Sequence, residues 1–289
     1  MAEATSPPTG AAQGTARIRL VCIDVDGTLI GAAGVVDPDV WCAVERARDA
    51  GIHLAVSSGR PGFGITRELA ERIDPDGWHS FQNGASVVNI STGSSLSAQL
   101  EPAAVAMLVS RARETVRLLE LYTDDGYAFV GHTERSREHA ALLGVPFEPR
   151  PIESLRGPIV RALWLVAHQD AEAVLAEPHP GLETSRSTSP MMPDTCFINM
   201  TRDGVDKGSA VRALAAEYDI ALEEVMYVGD GHNDAAAMRL VGCPVAMGNA
   251  DVEAKAVAVR TVAHVDEGGL VEALELAIDA NGRAHGRAT

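Results

Sequence analysis

The stretch Arg17-Ile18-Arg19-Leu20-Val21-Cys22-Ile23-Asp24-Val25-Asp26-Gly27-Thr28-Leu29 decides how this chain is read. Five of the seven residues from Ile18 to Asp24 are apolar, a short branched run that reads as a strand buried on both faces. It ends in two carboxylates one residue apart, then a glycine and a threonine. Ligands of open parallel sheets sit at the carboxyl ends of strands, and glycine permits close backbone approach, so this end is a candidate site. Simpler readings compete with that. Asp-x-Asp-Gly is common turn chemistry. A calcium loop begun at Asp24 would need glycine sixth and glutamate twelfth, where Leu29 and Val35 stand, so that reading fails.

Working outward, Asp37-Pro38 reads as a helix start, with Val40, Trp41, Val44 and Ala47 on one face and Gly51 at the stop. A second buried run, Ile52 to Ser57, ends in Ser58-Gly59-Arg60-Pro61. Strand, helix, strand implies a right-handed parallel crossover. Ser57 and Ser58 offer hydroxyls, Ser58 being most simply a capping hydroxyl, and Arg60 offers a fork suited to phosphate. The glycine-rich run from Gly59 is no nucleotide loop. A phosphate loop would need lysine where Ile65 stands, and a dinucleotide fingerprint would need glycine where Arg67 stands.

A helix over 61–72 and a short strand His79–Asn83 follow, closed by Gly84-Ala85. From residue 86 the texture turns to Ser/Thr, an amphipathic helix and a hairpin on Asp124-Asp125-Gly126, continuing with helices and strands to about residue 200. Antiparallel hairpins inserted after parallel units indicate a second, α+β domain over 86–200. Parallel units then resume. Asp206-Lys207-Gly208 opens a helix, and a cation in a first turn opposes the helix dipole unless an anion is near. The apolar strand Val225–Gly229 runs into Asp230-Gly231-His232-Asn233-Asp234, where capping of the next helix accounts for one of the three polar groups but not for all. The expected architecture is α/β: a doubly wound parallel sheet from residues 17–85 and 201–280 carrying the inserted α+β domain. Residues 1–16 and 281–289 read as tails.

Composition bounds the partners. With 24 basic and 40 acidic residues the net charge of −16 disfavours nucleic acid and anionic membranes. No apolar run reaches the ~20 residues of a membrane span. The four cysteines at 22, 42, 196 and 243 are scattered, which argues against structural zinc and a disulfide framework and suits a cytoplasmic protein. Oligomeric state is not legible.

Three strand ends thus carry Asp24/Asp26, Ser58 and Asp230/Asp234, with Lys207 nearby. Converging carboxylates repel unless a cation lies between them, and an all-oxygen donor set suits Mg²⁺. Such a cation with a lysine, a hydroxyl and backbone N–H groups is a receptor for a phosphoryl group. An ionised aspartate could attack phosphorus while a second carboxyl moves the proton, which explains a pair rather than one.

The ordered set Asp24-Val-Asp26-Gly-Thr-Leu, Ser58-Gly-Arg60, Asp206-Lys207-Gly and Gly229-Asp230-Gly-His-Asn233-Asp234 resembles the haloacid dehalogenase-like hydrolase superfamily, specifically its Cof-type phosphatases with a type IIB cap. Asn83-Gly-Ala and Met247-Gly-Asn249-Ala are similar to the same branch. The resemblance implies a Rossmann-like core, with residues 86–200 as a mobile cap that limits access to a small phosphorylated metabolite, a sugar phosphate being favoured. It implies Asp24 as nucleophile and Mg²⁺ ligand, and Asp26 as general acid/base with its carbonyl on the metal. Asp230 is implied as a further ligand and Asp234 as support for the metal shell. Thr28, Ser58, Gly59, Lys207 and Asn233 are implied around phosphate, and Arg60 and Asn83 near the substrate. Whether Ser57 or Ser58 takes the hydroxyl role stays open. A phosphosugar mutase on the same core and a phospho-ligand-binding module without turnover are the alternatives.

Overall fold

The computed structural model describes residues 17–189 and 191–285, so the expected tail at 1–16 and residues 286–289 lie outside the described residues. The opening strand forms where its apolar run demands, as β1 (Leu20–Ile23), with every residue buried. Helix α1 (Pro38–Asp49) starts on Asp37, whose carboxylate accepts from the N–H of Asp39 at 2.9 Å, with Pro38 in the first turn. It buries Val40, Trp41, Ala43, Val44 and Ala47. Strand β2 (His53–Val56) then pairs parallel with β1, Ile23 opposite Val56.

Next come α2 (Ile65–Ile73), β3 (Trp78–Phe81) and β4 (Ser86–Asn89). The helix begins at Ile65 rather than 61, because Gly64 holds a φ of +62°. Strand β4 pairs antiparallel with β3, Phe81 opposite Ser86. Its Val87 and the following Ile90 are buried with the parallel-sheet core. The expected start of the inserted unit at residue 86 therefore moves: hydrogen bonding and packing place this hairpin with the core.

The inserted unit contains α3 (Pro102–Thr115), β5 (Leu119–Tyr122), β6 (Tyr127–Val130), α4 (Glu134–Leu143), β7 (Arg161–Ala167), α5 (Ala171–Leu175), β8 (Leu182–Ser189) and β9 (Met192–Arg202). Its strands form one antiparallel sheet in the order β6-β5-β7-β9-β8. Period-2 alternation gives the sheet two unlike faces. Leu119, Leu121, Ala162, Trp164, Val166, Ile198 and Met200 pack with α3 and α5. The other face carries Glu120, Tyr122, Arg161, Leu163, Phe197 and Asn199.

The chain returns through α6 (Lys207–Glu217), β10 (Val225–Gly229), α7 (Ala235–Met238), β11 (Cys243–Ala246), α8 (Val252–Val257), β12 (Arg260–Thr261) and α9 (Gly269–His285). The core sheet is fully parallel, in the order β12-β11-β10-β1-β2, so β1 and β10 lie side by side with Ile23 opposite Val228. Connections lead away from β1 in both directions, and the crevice above the carboxyl ends of β1 and β10 is the topological switch point where such sheets hold ligands. Residues 281–285, expected as tail, are helical. Asn281 is buried, accepts from the N–H of Ile18 at 2.9 Å and donates to its carbonyl at 2.8 Å, which ties the end of α9 to the entry of β1. No helix of the described residues is long and apolar enough to cross a membrane.

Candidate active site

Asp24 leaves the carboxyl end of β1 with its N–H on the carbonyl of Val228, and it is 5% exposed. Its Oδ1 accepts from Lys207 Nζ at 2.6 Å. Lys207 opens α6 behind the Asp206 cap, whose carboxylate accepts from the N–H of Ser209 at 2.7 Å. Gly84 lets that helix approach: at φ +96° it sits where a Cβ would lie 2.1 Å from the Asp206 carbonyl oxygen. Fully buried, the ammonium also donates to Asp234 Oδ1 at 2.6 Å. Burial opposes its charge, but Asp234 and Asp24 outweigh that and hold the lysine protonated well above its ordinary range.

Asp234 is filled on both sides. Oδ1 accepts from Lys207 and from the Tyr227 hydroxyl at 2.7 Å, and Oδ2 accepts from the N–H groups of Asp230 and Gly231 at 3.0 and 2.9 Å. It is therefore a strut that fixes the lysine and the loop after β10, not a free ligand. The Tyr227 hydroxyl, whose one proton goes to Asp234, accepts from Ser57 Oγ at 3.1 Å, which directs Ser57 into this buried network. Ser58 Oγ accepts from the Arg60 N–H at 3.1 Å and shapes the loop beyond β2.

Asp24, Asp230 and Asp234 each offer an oxygen, all within 4.8 Å of one another. Lys207 brings one positive charge to these three acids. Burial first, then Asp234, pushes Asp24 well above the usual carboxylate range, and the same two causes push Asp230 up to about 6. Lys207 pulls both the other way, and for Asp24 its 2.6 Å bond marks an oxygen that accepts rather than carries a proton. The upward direction records negative charge in excess. A hard divalent cation held by Asp24 and Asp230 answers that excess, so the donor set fits Mg²⁺. Gly27 completes the cradle. At φ +85° it lies under Asp230, where a Cβ would stand 2.1 Å from Oδ2. Asn249 locks this contact, donating to the Gly27 carbonyl at 2.7 Å.

Asp26 projects from the loop with its side chain 57% exposed and is bidentate with Arg60, Nε to Oδ2 measuring 2.8 Å. Asn83, in the left-handed region at φ +56°, accepts from Asn233 Nδ2 at 3.1 Å, which joins the loops after β3 and β10. Asp24, Asp26, Gly59, Arg60, Asn83, Asp230 and Asn233 all line one cavity of about 440 Å³. Lys207 enters through its bond to Asp24. Thr28 is not brought there: its hydroxyl is buried with no hydrogen-bond partner.

The far wall of the cavity belongs to the inserted sheet and α4, through His139, Leu143, Arg161, Leu163, Phe197 and Asn199. No sequence motif marks these wall residues. For Asn199 the signal is a polar residue alternating with apolar ones along β9; His139 lies on α4 and Phe197 is itself apolar, so no such alternation marks them. Tyr122 and His139 share the buried carboxylate of Glu120, His139 Nδ1 lying 2.8 Å from Oε2. Trp164 faces the opposite side of the sheet, and Asp124 accepts from Ser86, Ser95 and Ser97, which fastens the hairpin turn to the core.

Comparison with known proteins agrees with this geometry. The family model described as haloacid dehalogenase-like hydrolase matches residues 21–274. A putative phosphatase of Streptococcus pyogenes is 25% identical over 269 residues, 89% of this chain and 97% of that one. A pyridoxal phosphate phosphatase of Escherichia coli is 28% identical over 261 residues, 82% of this chain and 90% of that one. The solved structure of a subclass IIB sugar phosphatase superimposes with a TM-score of 0.74 at 23% identity, covering 89% of this chain and 98% of that one, a likeness of fold. The chain is an enzyme that belongs to the haloacid dehalogenase-like hydrolase family, among relatives named as phosphatases.

Proposed function

We propose that this chain is a Mg²⁺-dependent phosphatase of a small phosphorylated metabolite, working through a phosphorylated Asp24. The observation that carries the reading is Asp24 itself. One oxygen is pinned by Lys207 at 2.6 Å, and the carboxylate lies on the wall of a cavity sized for a small molecule. Bound between Asp24 and Asp230, Mg²⁺ would neutralise charge on the transferring phosphoryl group. Asp24 attacks phosphorus with its unpinned oxygen, and the bond to the leaving oxygen breaks. Lys207 and the N–H groups of the loops after β1 and β2 receive the phosphoryl oxygens. Asp26 gives its proton to the leaving oxygen, then takes one from the water that attacks the phosphorylated Asp24.

The Asp26–Arg60 pair supports this division of labour. A guanidinium fork prefers the greater charge of phosphate, so an arriving phosphoryl group draws Arg60 off and frees Asp26 for its proton. Tyr227 holds Ser57 inside the network, which leaves Ser58 as the hydroxyl nearer phosphate. A sugar phosphate remains the favoured substrate because the cavity wall mixes hydrogen-bonding groups with apolar ones. Phosphate release from a panel of sugar, nucleotide and cofactor phosphates, with Mg²⁺ and with chelator, tests the reading. Release that needs the cation supports it. Isomerisation of a hexose phosphate without free phosphate points instead to a mutase.

A further inference from the structure

The cavity wall holds a cation that the protein leaves without an acid. Lys207 is shared by Asp24 and Asp234, and Arg60 is paired with Asp26. Arg161, at the start of β7, is 3% exposed and lines the same cavity. Among the described residues no carboxylate pairs with it. Its Nη1 donates to the Gly59 carbonyl at 2.8 Å, its guanidinium carbon lies 4.1 Å from the Tyr122 ring centroid, and its Nε is buried with no acceptor. Glu120, on the same sheet face, gives Oε2 to the Tyr122 hydroxyl and His139, while its Oε1 is buried with no hydrogen-bond partner and forms no ion pair with Arg161. One carbonyl and the ring and hydroxyl of Tyr122, all uncharged, recover less than the removal of a guanidinium from water costs. The flanking wall, Leu143, Leu163 and Phe197, adds nothing to offset the charge.

We propose that Arg161 receives a second anionic group on the leaving-group side of the substrate, so that the preferred substrates are phosphomonoesters that also carry a carboxylate or a further phosphate. This rests on the phosphatase reading above and narrows it. Gly59 follows Ser58, so Arg161 stands against the loop that faces the phosphoryl group. The two anionic groups are therefore separated by only a few bonds, and the leaving group is compact. The guanidinium fork suits either acid, since both accept two parallel hydrogen bonds.

Matched pairs separate this from a mere latch between the inserted unit and the core. The pairs are 3-phosphoglycerate against glycerol 3-phosphate, and glucose 1,6-bisphosphate against glucose 6-phosphate. The first pair asks for a carboxylate, the second for a phosphate. Wild-type kcat/KM is expected to favour the acidic member of at least one pair about thirtyfold or more. In Arg161→Gln that preference collapses, the acidic member losing at least about tenfold more kcat/KM than the member whose leaving group is uncharged, and Arg161→Lys retains part of it. Equal rates within both pairs for the wild-type enzyme, or an equal fall for both members in Arg161→Gln, would overturn the proposal. Calorimetric binding of the same pairs to Asp24→Asn protein reads recognition without turnover. If no phosphate is released from any compound but the acidic members still bind about thirtyfold tighter, the phosphatase reading falls and the Arg161 site stands. Equal binding removes the Arg161 site whatever the turnover.

Discussion

Protonating His79 should unfasten the root of the phosphate-facing loop. His79 is fully buried on β3, and its partners fix its state. Nδ1 accepts from the Val56 N–H at 3.0 Å, and Nε2 lies 2.9 Å from the Asp74 carbonyl, so Nε2 carries the only ring proton. A second proton would set two N–H groups against each other at the end of β2. Burial pushes the imidazole down to about 4 from its ordinary 6.5. The folded value is the lower one, so the unfolded chain takes the proton first. The stabilisation is fully present above pH 6.5, lost as the pH falls to about 4, and unchanged below that. At 1.36 kcal/mol per pH unit, this interval is worth roughly 3 kcal/mol. Asp230, pushed up to about 6, acts with the opposite sign, so the wild-type curve alone mixes the two. Comparison with His79→Asn removes that mixing, because Asn does not titrate and its carbonyl can still accept from Val56. Urea unfolding would be followed by tryptophan fluorescence and far-UV circular dichroism, whose coincidence checks for a single transition. The stability advantage of wild type over variant should shrink by roughly 3 kcal/mol between pH 7 and pH 4. A constant difference across that range would refute a neutral, buried His79.

Two substitutions probe the metal cradle. Asp234→Asn leaves Lys207 with one carboxylate and turns an amide toward backbone donors, so stability should fall by about 3–5 kcal/mol. In protein that remains folded, kcat should drop about 10- to 100-fold, and an unchanged melting temperature with full activity would contradict the strut assignment. Gly27→Ala forces a Cβ to within 2.1 Å of Asp230 Oδ2 from a φ of +85°. Calorimetric titration should show Mg²⁺ affinity reduced at least about tenfold. Wild-type affinity there would mean that Asp230 does not hold the cation.

The core was legible because β1 and β10, and β2 beyond His53, are apolar runs that stop at polar residues. Asp24, Ser58 and Asp230 announce the strand ends, and the parallel register of β1, β2 and β10 brings those ends together. The substrate wall was not legible. Arg161, Phe197 and Asn199 share a face only once β7 and β9 are paired in the correct register, which no local pattern specifies. The hairpin strand β4 was misplaced because its Ser/Thr texture looked like the start of a new domain. Its hydroxyl neighbours instead gather on Asp124, while Val87 turns into the core. Residues 281–285 lack a strong apolar stripe, and the two bonds of Asn281 to Ile18 tie this last helical turn to the core.

The nucleophile is the central claim, and trapping it is the most direct test. In Asp26→Asn the base that clears the intermediate is missing, while p-nitrophenyl phosphate releases a phenolate that needs no proton. With Mg²⁺ this variant should give a burst of one nitrophenolate per active site. Acid quench and borohydride reduction should then convert residue 24, and no other aspartate, to homoserine in the peptide mass spectrum. Turnover with no modification at Asp24, or modification at a different residue, would contradict the account.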